Sequence, residues 1–91
     1  MYIITYDISS DRLRNKVAAL LEGYGKRVQY SCFECRISLK QFEDLQGKLE
    51  KLIKNKEQAS VRIYHLCMNC EDKISIYGKS NVEEWRTVYV I

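Results

Sequence analysis

From Arg27 to Ser38 the chain reads RVQYSCFECRIS. Val28, Tyr30 and Cys32 hold one phase of a two-residue alternation, while Phe33, Cys35 and Ile37 hold the other. The phase flips between Cys32 and Phe33. A straight strand cannot do this, because alternate side chains point to opposite faces and a one-residue slip turns the apolar set around. A tight turn or a bulge near Ser31–Phe33 allows it. The stretch predicts two short strands, or one strongly bent strand.

On its C-terminal side, Ser38-x-x-Gln41 has the form of a capping box. Phe42, Leu45, Leu49, Leu52 and Ile53 follow at helical spacing, with Gly47 as a weak point. On its N-terminal side lies another amphipathic helix. Ser9, Ser10 and Asp11 are helix-start residues, and Leu13, Val17, Leu20, Leu21 and Tyr24 recur on one face. Gly23 or Gly25 can supply a left-handed residue to end it. Farther out, MYIITYD (Met1–Asp7) and SVRIYHL (Ser60–Leu66) read as strands, rich in β-branched and aromatic residues. Cys67–Asp72 reads as a loop, KISIY (Lys73–Tyr77) as a short strand ended by Gly78, and VYVI (Val88–Ile91) as strand-like.

The element order is β-α-β-β-α-β with added strand material at the end. It predicts an α+β, ferredoxin-like domain: an antiparallel sheet with two helices on one face. At 91 residues the chain suits one domain, over residues 1–78, with a C-terminal extension over 79–91. The terminal strand needs an edge to pair with, and a second copy of the protein can provide one. Hydrophobic residues make up 46%, which excludes a disordered chain. No apolar run approaches the roughly 20 residues that span a bilayer. Met1–Asp7 lacks the basic flank and cleavage site of a signal peptide. Together these predict a cytoplasmic protein without a membrane partner.

The formal net charge of +3 tolerates a polyanion without demanding one. Arg12, Arg14, Lys16, Lys26 and Arg27 form one basic group, and Lys48, Lys51, Lys54 and Lys56 another. Charge runs ordinarily just solvate helix faces. Asp7 ends an apolar strand beside a helix start, which leaves two roles open to its carboxylate. It can cap the helix, or it can offer oxygen to Mg²⁺ or Mn²⁺. One carboxylate makes a poor metal site, and two copies joined by a dimer axis make a better one. Cys32-x-x-Cys35 and Cys67-x-x-Cys70 have the spacing of zinc ligands. The first pair lies in strand-like sequence without a knuckle, so it reads as apolar packing. The second is the better candidate for a knuckle or a disulfide. His65, the single histidine, reads as an ordinary strand residue.

YDIS (Tyr6–Ser9), basic residues at Arg14 and Lys16, and YGKRVQYSCFEC (Tyr24–Cys35) resemble the Cas-two family of small CRISPR-associated proteins. IYHLC and KISIYG fit the same pattern, so the likeness covers nearly the whole chain. The resemblance implies homodimers of ferredoxin-like protomers, each lending its terminal strand to the other's sheet. It implies that Asp7 faces its symmetry mate at the dimer interface and serves as catalytic residue and ligand to Mg²⁺ or Mn²⁺. It further implies nucleic-acid contacts through Arg14, Lys16, Arg27 and Ser31, and structural or dimer contacts through Tyr6 and Phe33. Lys16 stands where arginine is more usual, keeping the charge but losing bidentate phosphate geometry.

Three functions follow. The first is a metal-dependent endonuclease in CRISPR adaptation, acting on RNA or double-stranded DNA. The second is a non-catalytic DNA-binding scaffold that bridges subunits of the CRISPR integrase. The third is a small zinc-binding regulatory domain built on the four cysteines.

Overall fold

The computed structural model describes residues 1–77 and the backbone of residues 89 and 90. The phase conflict in RVQYSCFECRIS is resolved by two devices. Strand β2 (Lys26–Gln29) and strand β3 (Cys32–Cys35) form a hairpin across a turn at Tyr30 and Ser31. Their register runs Lys26↔Glu34, Arg27↔Phe33 and then Gln29↔Cys32, which leaves Val28 as an extra residue. The turn falls beside the expected position, and the bulge sits on β2 rather than at Ser31–Phe33.

The first strand, β1 (Tyr2–Ile8), leads through a short loop into helix α1 (Asp11–Glu22). Ser10 is its N-cap, and its side chain accepts the Leu13 N–H at 3.2 Å. The helix does not end on a left-handed glycine. Gly23 stays right-handed at φ −76°, and Gly23 N–H and Tyr24 N–H reach back three residues to Leu20 and Leu21 at 3.2 and 2.9 Å. The last turn tightens instead of reversing hand. Gly25 serves a different need. A Cβ there would lie 2.3 Å from the Glu34 carbonyl oxygen and 2.6 Å from Cys35 Sγ, so only glycine lets this turn pass against β3.

Helix α2 (Leu39–Ile53) starts on the expected capping box. Ser38 Oγ accepts the Gln41 N–H at 3.2 Å, and Gln41 Oε1 accepts the Ser38 N–H at 2.9 Å. Beyond its end, Asn55 takes φ 62°, a left-handed conformation that asparagine tolerates, and the chain turns back into β4 (Ala59–His65).

The sheet order is β2-β3-β1-β4, with every neighbouring pair antiparallel. This is the ferredoxin-like arrangement that the element order predicts. The most apolar strand, β1, lies inside and is paired on both edges. Its alternation decides the layers. Tyr2, Ile4, Tyr6 and Ile8 are buried, as are Phe33 and Cys35 beside them, and Val17, Ala18, Leu21, Leu45 and Leu49 cover them from the helices. Tyr2 lies between two rings, 3.9 Å from Phe42 and 4.5 Å from His65, centroid to centroid. His65 thus finds a stacking role on the strand.

After β4 the expected loop holds a single helical turn, α3 (Met68–Glu71). Its Glu71 is buried, pairing with Arg36 at 2.5 Å and with the Met1 amino group at 3.4 Å. A two-residue strand β5 (Ser75–Ile76) follows, and β6 (Tyr89–Val90) pairs with it in parallel. Residues 78–88 and 91 lie outside the described residues, so most of the expected extension does too. No helix among the described residues is long and apolar enough to cross a membrane.

Candidate metal and nucleic-acid site at the end of strand β1

The alternation that buries Tyr6 and Ile8 turns Asp7 to the opposite face of the sheet, away from the helices. That face carries Ile3, Thr5 and Asp7 from β1. By register it also carries Glu34 and Cys32 from β3, and Ser60, Arg62 and Tyr64 from β4. Asp7 is exposed and stands opposite Ser60. Among the described residues no side-chain hydrogen bond or ion pair reaches its carboxylate. Of the two roles open to Asp7, the cap is already filled by Ser10.

The other expected site residues gather on the far side of the strand. Tyr6 is buried, its ring 6.3 Å from that of Phe33, and its hydroxyl points at the Tyr30 carbonyl at 3.5 Å. Burial pushes its phenol pKa up, partly offset by Arg27. Ser31 contributes backbone: its carbonyl accepts the Tyr6 N–H at 3.1 Å, which ties the hairpin turn to the end of β1. Phe33 is fully buried, and Arg27 lies over its ring at 5.3 Å, with Glu22 at 3.9 Å.

Arg14 is largely committed to structure. It donates to the Ile8 carbonyl at 2.9 Å, pairs with Asp11 and lies 5.7 Å above the Tyr30 ring. These contacts pin the first turn of α1 to the end of β1. Asp7 and the two arginines thus leave the central sheet on opposite sides, and one chain does not aim both at a single phosphate.

Lys16 has different company. It lines a groove of about 940 Å³ between the start of α1 and the end of α2, together with Arg12, Lys51 and Lys56. Glu57 is the one acidic residue in that lining. Two members of each basic group of the sequence, Arg12 and Lys16 with Lys51 and Lys56, therefore share one surface. Sequence reasoning missed this because the groups lie far apart in the chain. The signal that could have found it is Asn55, a residue type that tolerates the left-handed conformation it takes here, in a turn that leaves Lys51 and Lys56 lining the same groove.

The cysteines divide. In β3, Cys35 pairs in register with Tyr2 on the helix side, while Cys32 pairs with Thr5 on the open side. Two residues aimed to opposite faces cannot share one metal ion. Burial pushes the Cys35 thiol up to about 11. Cys67 and Cys70 are exposed, their sulfur atoms 3.2 Å apart. Among the described residues no three His, Cys, Asp or Glu side chains converge as metal ligands.

A family model described as CRISPR associated protein Cas2 matches residues 1–74. A protein of Chloroflexus aurantiacus named CRISPR-associated endoribonuclease Cas2 1 is 46% identical over 91 residues, covering 99% of this chain and 98% of its own. The crystal structure of Streptococcus pyogenes Cas2 superposes with a TM-score of 0.73 at 30% identity, covering 85% of this chain and 98% of its own. One chain of a partial Cas6-RT-Cas1–Cas2 complex superposes with a TM-score of 0.66 at 37% identity, covering 75% of this chain and 79% of its own.

Proposed function

The chain belongs to the CRISPR-associated Cas2 family, and on that premise we propose that it works in CRISPR adaptation as a metal-dependent endonuclease on RNA or double-stranded DNA. The observation that carries this reading is Asp7. Its carboxylate is exposed at the end of β1 and unpartnered among the described residues, while Ser10 does the capping. A carboxylate left free at a strand end suits a hard divalent cation such as Mg²⁺ or Mn²⁺. One chain supplies one such ligand. A homodimer joined across the open face of the sheet brings two Asp7 side chains together, and the VYVI tail, whose Tyr89 and Val90 pair with β5 of their own chain, helps hold the two copies by offering its other edge to the partner's sheet.

The bound cation would supply a coordinated water of lowered pKa and a Lewis acid for a phosphate oxygen. The chain's own residues do the rest. Asp7 fixes where the scissile phosphate sits. Lys16, with Arg12, Lys51 and Lys56 in the groove, neutralises the phosphate backbone as it runs past. Arg14 and Ser31 hold the strand end that carries Asp7, and Arg27 and Phe33 brace the hairpin against it.

The test is cleavage of labelled RNA and duplex DNA across a Mg²⁺ and Mn²⁺ titration, with light scattering on the same samples. Wild type should cut and be dimeric. Asp7→Asn should stay dimeric and lose activity by about 10²-fold or more, since it keeps the shape but not the charge that the metal needs. Equal cleavage by both, or a monomeric wild type, would overturn the shared-metal reading.

A second reading is favoured by one observation. Within one chain no three ligating side chains converge among the described residues, which is thin equipment for catalysis. In this reading the dimer is a DNA-binding bridge between integrase subunits, supported by the likeness to a chain of the complex containing Cas1 and Cas2. Spacer acquisition that survives Asp7→Ala would select it.

A further inference from the structure

The Cys67–Met68–Asn69–Cys70 turn is not used by the function above. Its two cysteines are exposed, and their sulfur atoms lie in hydrogen-bond contact at 3.2 Å. The backbone holds them there. Cys70 N–H and Glu71 N–H both donate to the Cys67 carbonyl, at 3.0 and 3.1 Å. A turn closed in this way keeps its first and fourth Cα atoms within about 7 Å, and a disulfide spans about 4.4–6.8 Å. The turn is also anchored from behind, because Glu71 is buried and pairs with Arg36 at 2.5 Å and with the Met1 amino group at 3.4 Å.

We propose that Cys67 and Cys70 form a reversible dithiol–disulfide site that exchanges with low-molecular-weight disulfides. The pair is asymmetric in the way such exchange needs. The sulfur–sulfur contact lowers the Cys67 thiol pKa and raises that of Cys70. A thiolate therefore forms more readily on Cys67 than on Cys70, which makes Cys67 the attacking group. Its sulfur attacks one sulfur of the small disulfide, forming a mixed disulfide and expelling one small thiolate. Cys70 then loses its proton and attacks Cys67 Sγ, closing the ring and expelling the second small thiolate. The protein pair is oxidised by two electrons, and the small disulfide is reduced to two thiols. Cys32 and Cys35 do not compete, because burial raises both thiols and they leave β3 on opposite faces.

The experiment equilibrates the full chain with glutathione and glutathione disulfide at a series of ratios. Each sample is quenched in acid, unfolded, alkylated and analysed by intact mass and peptide mapping. The free thiols of the wild type, four when reduced, should fall by half in one transition. The lost pair should map to a Cys67–Cys70 cross-link within a single chain. Cys70→Ser should instead stop at a glutathione adduct on Cys67, while Cys67→Ser should react far more slowly. Three results would overturn the proposal: all thiols remaining free under oxidising ratios, a wild-type adduct on Cys67 that never closes, or oxidation that begins at Cys32 or Cys35.

Discussion

Gly25 sits where α1 turns into β2, and a methyl group there has no room. The atoms it would meet at 2.3 and 2.6 Å are the Glu34 carbonyl oxygen and the Cys35 sulfur, one of them backbone of the neighbouring strand. The Glu34 oxygen and the Cys35 Cα, 2.8 Å away, are backbone and cannot swing aside as a flexible side-chain end would. Gly25→Ala should therefore destabilise the fold by about 1–3 kcal/mol, the usual cost of overpacking, seen as a lower midpoint in urea at unchanged slope. A midpoint equal to wild type would show that the α1–β2 turn relaxes freely. Arg14 teaches the complementary lesson. Its charge is plain in the sequence, yet its contacts to the Ile8 carbonyl, Asp11 and the Tyr30 ring are tertiary and leave no local mark. Asp7 and Ser10 are clearer. Both are capping residues by type, and only the structure assigns the cap to Ser10 and leaves Asp7 over.

In α2 the contrast with Gly25 is direct. Gly47 lies in the interior of the helix, exposed, with nothing within 4 Å of where a Cβ would stand. Nothing in the packing requires glycine there, and glycine costs a helix backbone entropy. Gly47→Ala should stabilise the protein by about 0.5–1 kcal/mol, measured in the same urea titration. A loss of stability would mean that this face of α2 is covered by something that the single chain does not include. The elements that the sequence foretold are those with a local signature. The phase flip at Cys32–Phe33 announces a hairpin, Ser38-x-x-Gln41 announces a helix start, and β-branched runs announce β1 and β4. The misplaced features lack one. Four residues are too few to show a helical period, so α3 hid in an expected loop. The bulge moved to Val28 because alternation reveals that a slip occurs, while cross-strand pairing decides where. The end of α1 was misjudged because two glycines suggested a left-handed cap, and the backbone instead closed with shorter bonds.

For the molecule as a whole, charge is distributed unequally over the surface. Arg12, Lys16, Lys51 and Lys56 line one groove, against a single acidic residue. If a nucleic-acid backbone follows that groove, binding releases condensed counterions, and log affinity for a labelled duplex should fall linearly with log salt. Lys16→Ala and Lys51→Ala should each lessen that slope by up to about one. Arg14→Ala should do so less, since its guanidinium is already engaged with Asp11 and Ile8. Affinity that is indifferent to salt, or a slope unchanged by either lysine variant, would reduce the groove to a solvated surface. The central position of β1 has another bearing, on how the chain comes into being. β1 leaves the ribosome well before β4, yet its long ladder runs from Tyr2↔His65 to Ile8↔Ala59. At roughly 5–20 residues per second of synthesis, several seconds pass before that partner exists. During this time β1, with its apolar row of Tyr2, Ile4, Tyr6 and Ile8, keeps one edge open for want of its β4 neighbour. The strand that organises the finished sheet is thus the one most exposed to aggregation in the nascent chain, when it can pair with a strand of another half-made copy.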